Sequence, residues 1–159
     1  MKIKSRHHLR SDEIRNIEER LAADLDVDLG GESYEFVELE GSEFDVVLVD
    51  GVPAVLYVGD EPFLTVRGAN EHPPESHVVT VDAGAISFVS DGADVMRPGI
   101  VEADGDIAEG DLVVVAEETH GKVLAIGRAL TGGEDMTGDS GKVVESIHHV
   151  GDDLYQFTP

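Results

Sequence analysis

VDAGAISFVSDGADVMRPGI, residues Val81 to Ile100, is the stretch whose reading decides the fold. It reads as a strand end, a short capped helix, a glycine stop and a strand entered through Arg-Pro-Gly. Asp82 stands where a helix N-cap belongs, because its carboxylate can accept from the first free backbone N–H groups. Ile86 and Val89 then share one face of a single short helix. Gly92 is placed as the left-handed stop, and Pro98-Gly99 sets a turn where the next strand begins. Small residues at the start of the helix let another backbone come close.

Outward from this stretch, His77 to Val81 reads as the preceding strand. Leu112 to Ala116 is a continuous apolar run entered through Gly110-Asp111. Lys122 to Ala129 follows a turn around Thr119 to Gly121. Val143 to Val150 and Leu154 to Phe157 read as a closing strand pair, with Gly151 to Asp153 as their turn. Short strands with regular turn signals predict a small β barrel.

The N-terminal half reads differently. Residues 1 to 10 hold Lys2, Lys4, Arg6, His7, His8 and Arg10 and no acid. Ser11 is the expected N-cap, with Asp12 and Glu13 favouring the helix dipole in the first turn. Ile14, Ile17, Leu21 and Leu25 form a helical apolar stripe. Short strands follow at Tyr34 to Leu39, Phe44 to Val49, Val52 to Val58 and Phe63 to Val66. Asp50-Gly51 is a hairpin signal. Asn70 to Ser76, with Pro73-Pro74, reads as a linker. The expected division is therefore 1–75, an α+β domain, and 76–159, a mainly-β pseudo-barrel with one short inserted helix. Each part alone is near the lower size limit for a self-sufficient core, so a shared interface is expected.

The Val81–Ile100 segment closely resembles the signature of the PUA domain, the RNA-binding module named after pseudouridine synthases and archaeosine transglycosylases. KVLAIGRA (122–129) and GKVVESIHHVGDDLYQF (141–157) match in the right order. KIKSRHHLRSDEI (2–14) resembles the start of archaeal relatives of the malignant T-cell amplified sequence (MCT) family. Those proteins join a pre-PUA domain to a PUA domain, and in eukaryotes work with density-regulated protein in translation. The resemblance implies RNA packed against the short helix, the loop before it and nearby strands. That implicates Gly84, Ala85, Val89, Met96, Arg97 and Pro98, with Lys122, Arg128 and His149 beside them. LTVRG at 64–68 departs from the family's Pro-Thr-Leu-Arg, which weakens any role carried over to Arg67. Tyr155 stands where many relatives have Trp.

Charge is the second informative feature. Thirty-four acids face eleven bases, a formal −23. The excess is even, −11 over residues 1 to 76 and −12 over the rest, so no acidic tail exists. Such a charge opposes compaction in dilute salt. At about 1 M salt the Debye length falls to roughly 3 Å and most of the repulsion vanishes. The composition predicts a salt-rich cytoplasm, as in halophilic archaea. A hydrophobic content of 41% excludes an acidic disordered chain. Without Cys, disulfides and Cys-based zinc sites are excluded. The apolar runs are too short for a membrane helix, and the N-terminus has no secretory h-region.

Catalytic signals are weak. Close carboxylate pairs arise by chance at this acid density, the serines lie in no nucleophile elbow, and the glycines match no nucleotide-binding pattern. His148 and His149, adjacent on a strand, point to opposite faces and cannot chelate one metal. One ring is expected buried and the other at the surface. Arg97 and Arg128 are two of only four bases after residue 76; each fits either a phosphate or base contact or a structural ion pair. Lys2, Lys4, Arg6 and Arg10 form a candidate ribosome or partner contact. The expectation is a monomeric, non-enzymatic, cofactor-free RNA-binding protein, taking tRNA, rRNA or an RNA 3′ end in initiation, re-initiation or ribosome recycling. Its expected partners are the small ribosomal subunit or a translation factor. The alternatives are an RNA-binding accessory to a modification enzyme and a PUA-like protein adaptor.

Overall fold

A computed structural model describes all residues, 1–159. The basic N-terminal segment is a strand, β1 (Ile3–His8), followed by helix α1 (Ser11–Leu25). The N-cap is Arg10 rather than Ser11, and the Arg10 N–H donates to Glu13 Oε1 at 3.1 Å. Ile17, Leu21 and Leu25 are buried as the stripe requires. β2 (Tyr34–Leu39), β3 (Asp45–Val49), β4 (Val52–Val58) and β5 (Glu61–Leu64) complete an antiparallel sheet in the order β1-β2-β3-β4-β5. Asp50 and Gly51 both take positive φ, 51° and 85°, as a two-residue hairpin turn demands.

The expected last strand of this half stops short. Thr65 caps a helix, α2 (Val66–Glu71), by accepting the Gly68 N–H at 3.0 Å. A Cβ on Gly68 would run into the Ala54 carbonyl, so α2 lies directly on β4. The segment that reads as a linker, Asn70 to Ser76, is tied to the second half at its start. Asn70 and Glu71 belong to α2, and the Asn70 amide both donates to Val123 O (3.1 Å) and accepts Val123 N–H (2.9 Å).

The C-terminal half is the expected nearly closed pseudo-barrel with a short helix. Its strands are β6 (Val78–Val81), β7 (Val95–Met96), β8 (Ile100–Ala103), β9 (Leu112–Glu117), β10 (Val123–Ala129) and β11 (Lys142–His149). They lie in the order β7-β11-β10-β9-β6-β8, with β6 parallel to β9 and the other pairs antiparallel. Helix α3 (Ile86–Ser90) is the insert. The predicted closing strand at Leu154–Phe157 is instead a helical turn, α4 (Asp153–Gln156). Asp152 causes this: its carboxylate accepts the Tyr155 N–H at 2.8 Å and so caps a helix.

The two halves share a core. Leu112, Val114 and Ala116 of β9 join the larger apolar cluster with α1 and the first sheet, whereas Val113 and Val115 face the barrel interior. β9 is covered on both sides, which explains its unbroken apolar run. One imidazole ties the halves together. His148, 1% exposed, accepts the Val66 N–H at Nε2 (3.2 Å). Its Nδ1 lies 2.8 and 3.0 Å from the two Asp152 oxygens. Acceptance at Nε2 puts the ring proton on Nδ1 and makes the ring neutral. Arg67 adds a bond from Nη2 to Tyr155 O (2.6 Å) and lies over the Tyr155 ring at 5.6 Å.

Burial pushes the Asp152 carboxyl up, but bonds from His148 and from the His149 and Tyr155 N–H groups outweigh it and hold it below its ordinary value. A depressed native value means a stabilising contribution that is complete above the unfolded value of about 3.9 and lost as pH falls through the native one. Asp152→Ala should therefore flatten the loss of stability below about pH 4, read from unfolding midpoints against pH. His148→Ala leaves the Val66 N–H and Asp152 without their partner, and should cost about 3 kcal/mol in denaturant unfolding.

Candidate nucleic-acid interface

The groove is built around α3. Asp82 Oδ1 accepts the Ala85 N–H at 3.0 Å and caps a 3-10 turn, Ala83–Ala85, that leads into α3. Val89 is 2% exposed and Ile86 packs beside it on the barrel core. Gly92 ends the helix at φ 93°, its N–H donating to Val89 O at 3.0 Å. A Cβ there would sit 2.7 Å from His149 Nε2. After β7, the turn Arg97–Gly99 brings Gly99 under Ala85, where an added Cβ would stand 3.1 Å from the Ala85 Cβ.

These elements enclose a groove of about 430 Å³ whose lining includes Gly84, Ala85, Phe88, Val89, Val95, Met96 and Pro98. Gly84 is open: a Cβ there would meet only Asp82 Oδ1, at 3.4 Å. The fold itself does not need a small residue at this point. Phe88 projects from α3 and is 68% exposed; Met96 and Val101 stand half exposed nearby in sequence. The lining carries two acids, Asp82 and Asp94, and no base. Both acids are committed, Asp82 to its cap and Asp94 to the Ser146 N–H (2.8 Å) and Lys142 Nζ (3.3 Å). The surface therefore offers apolar contact and stacking rather than a field for phosphate.

The structure gathers Gly84, Ala85, Val89, Met96 and Pro98 in this groove. Arg97 does not line it. Its guanidinium donates from Nε to Asp135 O (2.8 Å) and from Nη1 to Ser140 O (2.9 Å). These bonds are not the ion pair that was the structural alternative: Arg97 clamps the glycine-rich 132–141 loop. Arg128 ties the halves together, with Nη1 3.2 Å from Glu61 Oε1 and 2.7 Å from Gly110 O. Lys122 lies in the β9–β10 turn, where nearly buried Glu117 accepts the Thr119, His120 and Lys122 N–H groups. The Lys122 N–H bond foremost holds the Glu117 carboxyl below its ordinary range. His148 is buried as expected, whereas His149 is half-buried rather than at the surface; its Nδ1 is 2.9 Å from Ser90 O, behind the end of α3.

Lys2, just before β1, and Lys4, on it, are exposed. Arg6 pairs with Glu35 at 2.8 Å, and Arg10 with Asp12 and Glu13 at 3.3 Å. No three His, Asp or Glu side chains converge as a metal-ligand set, and no helix is long and apolar enough to cross a membrane. The residue that sequence reasoning missed is Phe88. Its signal was available, since a short helix that buries Ile86 and Val89 turns position 88 outward.

A PUA domain family model matches residues 77–151. The structure is similar to a conserved PUA domain protein from Thermoplasma acidophilum, with a TM-score of 0.83 and 30% identity over 98% of this chain and 100% of that one. A hypothetical protein from Pyrococcus horikoshii aligns with a TM-score of 0.84, again with 30% identity and the same coverage. In sequence, the chain is 40% identical over 116 residues to an uncharacterized protein of Methanocaldococcus jannaschii, covering 72% of each. It is 34% identical to translation machinery-associated protein 20 of Saccharomyces cerevisiae, over 69% of this chain and 65% of the yeast protein. The match thus spans just under two thirds of that relative's length.

Arg97→Ala should release the 132–141 loop from the Arg-Pro-Gly turn. The expected result is faster amide exchange across the loop, with a stability loss of about 1 to 2 kcal/mol for two charge-assisted bonds.

Proposed function

This chain belongs to the PUA domain proteins, and on that premise we propose that it is a non-enzymatic RNA-binding protein of the translation machinery. It holds an unpaired stretch or 3′ end of tRNA or rRNA in the groove beside α3. The single observation that carries the reading is Phe88, a large aromatic left in solvent at the rim of an apolar groove opened by Gly84 and Ala85. A flat base stacks on such a ring regardless of its identity, and small residues admit the sugar-phosphate backbone. The similarity to translation machinery-associated proteins supports a place in initiation, re-initiation or recycling, at the small ribosomal subunit or a translation factor. The protein works as a cytoplasmic monomer.

A net charge of −23 repels RNA in dilute buffer, so we place the protein in a salt-rich cytoplasm, where screening removes that barrier. Its thermal midpoint should rise steeply between about 0.1 and 2 M KCl; a flat response would remove this part of the reading. A protein-adaptor role has one observation in its favour, the acidic and base-free lining of the groove.

The deciding experiment compares wild type with Phe88→Ala in binding tRNA and small-subunit rRNA at about 2 to 3 M KCl. Loss of one stacked base should weaken saturable binding by roughly tenfold, within the ~1–3 kcal/mol that stacking provides. If the folded wild-type protein binds neither RNA, the adaptor reading takes first place.

A further inference from the structure

Lys142 is the base set at the edge of the groove. It opens β11 and pairs with Met96 of β7 in the strand register, so the two residues are cross-strand neighbours at the rim. The Arg97 N–H donates to Gly141 O at 2.9 Å and fixes the start of β11 against the Arg-Pro-Gly turn. The Lys142 side chain is 46% exposed, and its ammonium lies 3.3 Å from Asp94 Oδ2. Asp94 is itself part of the lining, 35% exposed, and its other oxygen accepts the Ser146 N–H at 2.8 Å. The two oxygens of one carboxylate therefore do separate things: Oδ1 braces the sheet, and Oδ2 occupies the cation.

We propose that Lys142 is the phosphate contact of the groove and that Asp94 is its resident competitor, holding the ammonium until an RNA phosphate displaces it. The proposal rests on the reading of the groove as the RNA site. An exposed pair of this kind is weak, so exchanging a carboxylate for a phosphate oxygen asks little of either side chain. A phosphate is also the better competitor, since it presents several strong acceptor oxygens to an ammonium that donates in three directions. The arrangement has a selective consequence. A lone anion must displace Asp94 without other gain, whereas an RNA strand does so while its base stacks on Phe88. The groove then holds a nucleotide within a strand more tightly than a free phosphate.

The test is isosteric. Asp94→Asn keeps an oxygen for the Ser146 N–H and removes the charge that holds Lys142. Binding of unfractionated deacylated tRNA is measured from about 0.5 to 3 M KCl for wild type, Asp94→Asn, Lys142→Gln, the double variant and Phe88→Ala. Unfolding midpoints establish that each is folded. Asp94→Asn should tighten binding by roughly two- to fivefold and steepen the dependence of log K on log salt by up to about 0.7, one phosphate on a single strand. Lys142→Gln should weaken binding and flatten that slope. In the double variant, the effect of Asp94→Asn on the slope should disappear. An unchanged slope in Asp94→Asn, or equal tightening with and without Lys142, overturns the proposal while a weakened Phe88→Ala leaves the groove as the RNA site. Unaltered binding by Phe88→Ala overturns the groove reading and this proposal with it.

Discussion

Buried between the two halves, the His148 imidazole accepts from the first N–H of α2 on one side and donates to Asp152 on the other. Each bond satisfies a group that would otherwise be stranded. The Val66 N–H is one of the free donors at a helix start, and Asp152 carries charge into a partly covered site. Asp152 passes the constraint on, taking the His149 and Tyr155 N–H groups and so fixing both the end of β11 and the turn of α4. A neutral aromatic ring with one donor and one acceptor suits this position: Lys or Arg could only donate, and a carboxylate could only accept unless protonated. The flanking ties of Asn70 to Val123 and Arg67 to Tyr155 act on the same helix. Together with the shared core around β9, they join the α+β part to the barrel through a short and heavily bonded helix.

The candidate site inherits its rigidity from this arrangement. β11 starts at the groove, with Lys142 across from Met96, and ends at the latch, with His148. His149, next to the latch, lies against Gly92 at the end of α3. The groove is thus framed by a strand anchored at its far end in the interface between the halves. Arg97 holds the third side by clamping the 132–141 loop through carbonyls rather than acids.

The legible parts of the sequence were those where one local rule decides the outcome. Asp82, Gly92 and Asp50-Gly51 each impose a cap, a stop or a turn whatever surrounds them, and each does so in the structure. The apolar stripe of α1 and the unbroken run of β9 also carried their meaning in period and length. What escaped were elements set by a contact far along the chain. Val66 and Asn70 read as strand end and linker, because the partners that make α2 worthwhile, His148 and Val123, lie 82 and 53 residues away. Leu154–Phe157 is the exception: it reads as a strand by composition, yet a local contact, the Asp152 cap on the Tyr155 N–H three residues on, winds it into a helix. The site divided in the same way. Gly84, Ala85, Met96 and Pro98 gather through local geometry, whereas the destinations of Arg97 and Arg128 depended on carbonyls and a carboxylate supplied by other elements.

The use of the scarce cations points to how binding must work. Of eleven Lys and Arg residues, Arg6, Arg10, Arg20 and Arg128 pair with carboxylates, and Arg67 and Arg97 hold main-chain oxygens. Six of the seven arginines, with their planar forks, are thus tied to other groups of the protein, and Arg15 stands exposed without such a bond. The lysines remain at the surface, where a compact and strongly hydrated charge can change partners. A body this acidic cannot recruit RNA through a broad positive face, and concentrated salt would blunt such a face in any case. Affinity must then come from contacts that salt does not screen, which are stacking, shape and apolar burial. In the reading we propose, Phe88, Met96 and the small residues of the Gly84–Ala85 loop are the side chains that would provide them, with Lys142 adding one point of charge.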